Sequence, residues 1–85
     1  MALPKESTVE RDLVEYIAKS LVDDPAAVNV NVIEEDKATI LELRVAADDI
    51  GKVIGKQGRI AKAIRTILSA SAAGADKRIT LEILD

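Results

Sequence analysis

Two glycines three residues apart enclose a lysine and a glutamine in the segment Gly55-Lys56-Gln57-Gly58. Glycine lacks a side chain and readily adopts positive φ, so Gly55 and Gly58 can bring backbone N–H groups close to an anion. Lys56 adds a mobile positive charge, and Gln57 adds a neutral donor. The segment also precedes a predicted helix, whose unpaired N–H groups and dipole favour negative charge. These features predict a loop that binds phosphate groups.

Two common phosphate-binding motifs do not fit this loop. A P-loop, G-x-x-x-x-G-K-[ST], would need glycine at Ile50, serine or threonine at Gln57, and a strand directly before it. A dinucleotide fingerprint, G-x-G-x-x-G, would need glycine at Val53. The chain has no His and no Cys, which removes the usual general bases, thiol nucleophiles and zinc ligands. We therefore expect a binding protein without a cofactor or metal, and not an enzyme.

Positive charge is concentrated around the loop although the chain as a whole is acidic. The net charge is −3, from 12 Lys and Arg against 15 Asp and Glu. No acidic residue occurs from position 50 to position 75. That stretch contains Lys52, Lys56, Arg59, Lys62 and Arg65. A local positive patch can bind a polyanion while the acidic remainder discourages indiscriminate association.

Length and composition indicate one soluble domain. The 85 residues fit a single domain, which we assign to residues 1–85 with residues 1–6 expected to be flexible. With 48% hydrophobic residues the chain should form a core, although a modest one, so its stability should depend partly on a partner or a dimer. The absence of cysteine, of a signal-peptide pattern and of a membrane-spanning apolar run predicts a cytoplasmic protein outside the membrane.

The first half of the chain is predicted to form a helix and a hairpin. Ser7-Thr8-Val9-Glu10 has the pattern of a capping box, and Asp23-Asp24-Pro25 should end the helix, which gives residues 8–22. Its buried face is predicted to hold Val9, Leu13, Ile17 and Leu21, widened by Val14 and Tyr16. Period-2 alternation predicts strands around residues 28–32 and 38–45, joined by the polar turn 34–37 into an antiparallel hairpin.

The second half is predicted to form two helices and a strand. Asp48 is a candidate N-cap for a short helix through Ile54, and the glycine loop separates it from a helix over residues 59–73 with Gly74 as C-cap. That helix is predicted to bury Ile60, Ile64, Ile67 and Leu68. Alternation of Ile79, Leu81 and Ile83 predicts the last strand. The order α-β-β-α-α-β indicates an α+β fold, a three-stranded mixed sheet covered on one face by three helices.

The stretch from Val53 to Gly58, followed by a basic amphipathic helix, resembles the G-x-x-G signature of KH domains. The element order is that of a type II KH domain. The segment from Gly51 to Thr66 resembles the small stand-alone KH proteins of the KhpA (YlqC) family, and the resemblance covers almost the whole chain. It implies a cytoplasmic protein that binds single-stranded RNA as a post-transcriptional regulator or RNA chaperone. It also implies a homodimer or a Jag-type KH-domain partner, with links to cell shape and division.

In that family, about four nucleotides lie in a groove between the helices that flank the loop and an adjoining strand. The resemblance implies that RNA contacts Gly55, Lys56, Gln57, Gly58, Arg59, Lys52, Lys62, Val53, Ile54 and Ala61, with Ile40 or Leu41 as strand candidates. Ala61 stands where many KH domains carry a larger aliphatic residue. The only aromatic residue, Tyr16, belongs to the first helix, so we expect binding without aromatic stacking, of weak to moderate affinity and sensitive to salt.

Simpler explanations compete for several of these residues. The spacing of Arg59, Lys62 and Arg65 is also that of an ordinary solvent-exposed helix face. The helical spacing of Tyr16 is also that of a core residue. The acidic groups Asp23-Asp24, Glu34-Glu35-Asp36 and Asp48-Asp49 fall at predicted turns or caps without EF-hand spacing.

Two other functions remain open at this stage. A helix-turn-helix DNA reader is disfavoured, because the third helix offers no Asn or Gln to read bases. The stronger alternative is a protein-interaction subunit in which the KH fold serves dimerisation. Its contact surface would be the small-residue run Ala70-Ser71-Ala72-Ala73 or the acidic face of the sheet.

Overall fold

A computed structural model describes residues 9–71 and 78–84. Its elements are α1 (Val9–Leu21), β1 (Asn29–Glu34), β2 (Ala38–Arg44), α2 (Ile50–Ile54), α3 (Arg59–Ser71) and β3 (Arg78–Leu84). Short 3-10 turns occupy Pro25–Ala27, Ala47–Asp49 and Lys56–Gly58. The predicted order of elements is confirmed. The predicted capping residues Ser7 and Gly74 and the segment 1–6 lie outside the described residues. None of the described helices is long and apolar enough to span a membrane.

The central strand of the sheet is β2. It pairs with β1 in antiparallel register, with Leu41 opposite Val32. On its other side it pairs with β3 in parallel register, with Leu41 opposite Leu81. A parallel neighbour requires a crossover connection, and α2 and α3 provide it. The mixed three-stranded sheet and the α+β architecture expected of a type II KH domain are confirmed.

The core lies on one face of this sheet. Side chains alternate along a strand, so Leu41 and Leu43 of β2 point to the same side, where the helices cover them. All three helices contribute to the buried cluster, which includes Val14, Ala18, Val53, Ile64, Leu68 and Leu81. The other face of the sheet carries mostly polar side chains, among them Asn29, Asn31, Glu42 and Arg44.

The predicted buried face of α1 is wrong at three positions. Val9, Leu21 and Tyr16 are exposed, and Tyr16 retains 72% of its accessible surface. The buried positions of α1 are Val14 and Ala18. Tyr16 is two residues beyond Val14, a rotation of roughly 200° about the helix axis, so it points away from the sheet.

The prediction for α3 is wrong at one position. Ile64 and Leu68 are buried, but Ile67 remains 45% exposed. It is flanked at helical spacing by Ala63 and Ala70, which are exposed as well. These three residues form a strip, here called the α3 strip, that no other described element covers.

The entry into α2 also differs from the prediction. Asp48 was expected to cap the helix, but it lies inside the 3-10 turn Ala47–Asp49 and is exposed. The residue directly before the helix is Asp49, whose side chain makes no capping hydrogen bond. The Asp49 side chain is buried instead, and its carboxylate binds a distant part of the chain.

Substitutions of one buried and one exposed side chain test this arrangement. Leu41→Ala should lower the free energy of unfolding by about 2–5 kcal/mol, because it leaves a cavity at the centre of the core. Tyr16→Ala should change that free energy by less than about 0.5 kcal/mol. Urea denaturation followed by circular dichroism measures both. A large loss of stability in Tyr16→Ala would contradict the exposed position of this side chain.

Candidate functional site

The glycine loop is a tight turn between α2 and α3. Its backbone has positive φ at three residues, Gly55 (80°), Gln57 (60°) and Gly58 (73°). The N–H of Gly55 donates to the carbonyl of Gly51 at 2.9 Å, and the N–H of Gly58 donates to the carbonyl of Gly55 at 3.0 Å. These bonds define the turn. Among the described residues, Gln57 is the only non-glycine with positive φ, a conformation that costs energy and often accompanies function.

The two glycines are required for different reasons. A β-carbon at Gly55 would lie 2.6 Å from Cγ1 of Ile60, a half-buried residue in the first turn of α3. Gly55 therefore allows both the positive φ and the close packing of Ile60 against the loop. A β-carbon at Gly58 would meet nothing within 4 Å, so only the positive φ favours glycine there.

Polar side chains surround the exposed apex of the turn. Lys56, Gln57 and Arg59 are all exposed. A terminal nitrogen of Arg59 donates to Oε1 of Gln57 at 3.2 Å, which occupies the amide oxygen. Besides the second lone pair of that oxygen, the groups that Gln57 and Arg59 can offer a ligand are N–H donors. With the ammonium of Lys56 beside them, the apex suits an anion.

The apolar residues predicted to line a groove have two different environments. Ile54, at the end of α2, is exposed. Gly51, one turn earlier, has no side chain. Val53 and Ala61 are buried, because their side chains join α2 and α3 to the core. In this structure neither Val53 nor Ala61 offers surface to a ligand. The apolar surface of α2 beside the loop is therefore that of Ile54.

The two strand candidates lie on opposite faces of the sheet. Leu41 is fully buried under the helices. Ile40, its neighbour, points to the opposite face of the sheet because side chains alternate along a strand. The prediction that Leu41 lines the groove is wrong, because this side chain has no exposed surface, and Ile40 stays a prediction.

Lys52, another predicted contact, is bound within the protein. Its Nζ lies 3.3 Å from Oδ1 of Asp49 and 3.4 Å from Oδ2 of Asp23. Hydrogen bonding to the Asp49 carboxylate, and then to that of Asp23, raises the pKa of Lys52. Its charge is offset by these carboxylates, so the positive charge presented near the loop comes from Lys56, Arg59 and Lys62.

Asp49 is the one buried ionisable side chain among residues 9–71 and 78–84, with 2% of its surface exposed. Its Oδ2 accepts the backbone N–H of Asp24 at 3.1 Å. Burial alone would raise the pKa of the Asp49 carboxyl. Hydrogen bonds from the backbone of Asp24 and Asp23, together with Lys52, outweigh that effect and hold the pKa below its usual value. From the sequence, Asp49 is predicted to lie at a turn or cap, although the lysine three residues later is a signal for an ion pair.

Arg65, which has the same spacing as Arg59 and Lys62, binds the sheet. Its Nε and one terminal nitrogen donate to the carbonyl of Leu81 at 3.4 and 3.3 Å. Leu81 belongs to β3, an edge strand. Arg65 therefore occupies a backbone acceptor that would otherwise face outward.

Comparison with known proteins identified one matching family and several similar proteins. The family described as KhpA/KhpB, KH domain, matches residues 11–83. The RNA-binding protein KhpA of Borreliella burgdorferi is 58% identical over 95% of this chain and 99% of the relative. The proteins of the same name from Treponema pallidum and Clostridium perfringens are 54% and 55% identical, over 92% and 87% of this chain and 98% and 99% of the relatives. No solved structure matched the chain significantly.

The different demands on the glycines lead to a test by substitution. Gly55→Ala should lower the free energy of unfolding by more than about 2 kcal/mol, because it combines a strained φ with a clash against Ile60. Gly51→Ala is the matched control: its β-carbon would meet nothing within 4 Å, and alanine favours a helix by about 1 kcal/mol. Chemical denaturation measures both. Equal effects of the two substitutions would contradict the described contact with Ile60.

Proposed function

This chain belongs to the KhpA/KhpB family of KH-domain proteins, and on that premise we propose that it binds single-stranded RNA through the loop Gly55-Lys56-Gln57-Gly58. The relatives compared above are named RNA-binding proteins. The observation that carries the proposal is the turn itself. Its glycines, with positive φ, leave the backbone accessible to a ligand. Its exposed apex offers N–H donors and positive charge. We further propose that residues 1–85 form a single KH domain, which acts in the cytoplasm as a post-transcriptional regulator or RNA chaperone and performs no catalysis.

The phosphates of the RNA supply the main attraction. The open space at Gly58 lets a sugar-phosphate chain approach the backbone of the turn closely. Lys56 and Arg59 flank that space, and charge-assisted hydrogen bonds to phosphate are among the stronger ones. With Lys62 one helical turn further on, about three phosphates can be neutralised. The logarithm of the binding constant should then fall with the logarithm of salt concentration with a slope of about −2.

The bases of the RNA meet a small apolar surface. Ile54 is the exposed apolar side chain at the end of α2, next to the loop. The single aromatic residue of the chain, Tyr16, is on α1 and not on the elements that carry the loop. Stacking on aromatic side chains therefore adds nothing at the loop, and we expect weak to moderate affinity.

A charge-reversing variant of the loop tests the proposal. Lys56→Asp with Gln57→Asp places two carboxylates against the phosphates, and aspartate tolerates the positive φ at position 57. The matched control, Lys37→Asp with Asn29→Asp, changes the net charge equally at exposed positions on the hairpin. Fluorescence anisotropy with mixed short RNAs should show at least about tenfold weaker binding for the loop variant and less than about twofold for the control. Circular dichroism checks that each variant is folded.

Three results would count against this assignment. Equal binding by the two variants would show that the loop does not hold the RNA. Duplex DNA that competes as well as single-stranded RNA would contradict a KH-type site. A folded wild type that binds no RNA would favour the alternative, a dimerisation subunit in which RNA binding is incidental.

We also propose that the chain acts as a homodimer or with a Jag-type KH-domain partner, as the family resemblance implies. The α3 strip supports a contact there, because Ile67 is a large exposed apolar residue between two alanines. Of the small-residue run considered from the sequence, Ala72 and Ala73 lie outside the described residues. The open face of the sheet, the other candidate, is more polar, with Asn31 donating to Glu42.

Sedimentation at several concentrations tests the dimer. Ile67→Glu should weaken self-association by at least about tenfold, because it places a charge in an apolar contact. Tyr16→Glu, which places the same charge on the exposed face of α1, should have little effect. A wild type that stays monomeric at every concentration and retains no Jag-type partner in pull-downs would refute the proposed assembly.

A further inference from the structure

We infer that Asp49 is a positioning residue for the glycine loop. Its buried carboxylate bonds the start of α2 to the connection after α1. This contact fixes the orientation of α2 and therefore the position of Gly55, which follows the helix. The inference rests on the proposed function where it concerns RNA affinity. Its structural part concerns the order of the loop and can be measured without RNA.

The short helix α2 needs such an attachment. It has only five residues, and a helix of that length does not persist without packing. Its one fully buried side chain is Val53. At its start, Ile50 is only partly buried against the core. The helix can therefore pivot about Val53, and a pivot would displace the loop that follows. Asp49, directly before Ile50, adds a polar attachment at the end of the helix that is less deeply buried.

The contacts of Asp49 reach across the fold. Its Oδ2 accepts the N–H of Asp24, which is 25 residues earlier in the sequence. Its Oδ1 lies 3.3 Å from the ammonium of Lys52. The Asp49 side chain is 3% exposed, whereas those of Lys52 and Asp23 are 42% and 83% exposed. The bond to the Asp24 backbone is therefore less accessible to water than the outer ion pair with Asp23, which is screened.

A continuous set of contacts joins Asp49 to the loop. The carbonyl of Gly51, two residues after Asp49, accepts the N–H of Gly55, and the carbonyl of Gly55 accepts that of Gly58. On its other side the loop rests against Ile60 of α3. The turn is thus supported on one side by packing against α3. On the other side it is supported by α2, whose first residue follows Asp49. A binding site loses affinity when such supporting contacts are loosened.

The same cluster limits where RNA is attracted. Two carboxylates, from Asp23 and Asp49, and one ammonium, from Lys52, leave a net charge of −1 one turn before the loop. This charge discourages a phosphate from binding there and favours the apex, where Lys56 and Arg59 lie. Removal of the outer carboxylate of Asp23 should therefore not weaken RNA binding.

Amide hydrogen exchange and RNA binding of three variants test the inference. In Asp49→Ala, exchange at the N–H groups of Gly55 and Gly58 should accelerate at least about tenfold more than at Leu41 of the central strand. RNA affinity of the folded protein should fall about tenfold as well. Asp49→Asn keeps an oxygen that can accept from Asp24 and should recover most of both losses. Asp23→Asn is the control and should change each value by less than about twofold.

The outcomes separate this inference from the proposed function. If Gly55, Gly58 and Leu41 accelerate by one common factor while RNA affinity is retained, Asp49 merely stabilises the whole fold and the inference is overturned. If the loop amides alone accelerate and the wild type binds no RNA, positioning by Asp49 stands and the proposed RNA function fails. If Asp49→Ala does not fold, the same measurements are made on Asp49→Ser. The serine side chain is too short for its hydroxyl to reach Asp24.

Discussion

The parallel pairing of β2 with β3 determines where the rest of the molecule lies. Parallel neighbours cannot be joined by a hairpin, so the chain must leave the end of β2, cross one face of the sheet and return to the start of β3. The segments α2 and α3 make that crossing, and the glycine loop is the corner between them. The corner must turn the chain within four residues, which the positive φ values at Gly55, Gln57 and Gly58 permit.

The same two helices form the core and the candidate site. Val53 is buried while Ile54, its neighbour, is exposed beside the loop. Ile64 is buried on α3 while Lys62 points to solvent. Ile60 connects the two roles, because it packs against the core and also lies under the loop at Gly55. The loop is therefore coupled to the packing of the domain, and changes in the core near Ile60 should reach the site.

Sequence patterns predicted the backbone better than the environment of individual side chains. Period-2 alternation gave both hairpin strands and the last strand, because a two-sided sheet imposes a strict pattern. On α1 the predicted stripe Val9-Leu13-Ile17-Leu21, widened by Val14 and Tyr16, omits the buried Ala18, since a small alanine carries little signal. The glycine spacing and the family resemblance both indicated the loop, but neither indicated the burial of Val53 and Ala61. The contact of Asp49 with Asp24 joins distant segments, so no local pattern could reveal it.

Six of the twelve positive side chains fall into two groups that a count of charges does not distinguish. Arg11 donates to the carbonyl of Val30, and Arg65 donates to that of Leu81, one at each edge of the sheet, while Lys52 pairs with Asp49. These three cations serve the fold. The other exposed cations near the loop are Lys56, Arg59 and Lys62. An acidic protein can therefore present a small positive site whose strength depends on these few side chains, and on how rigidly α2 and α3 hold the turn between them.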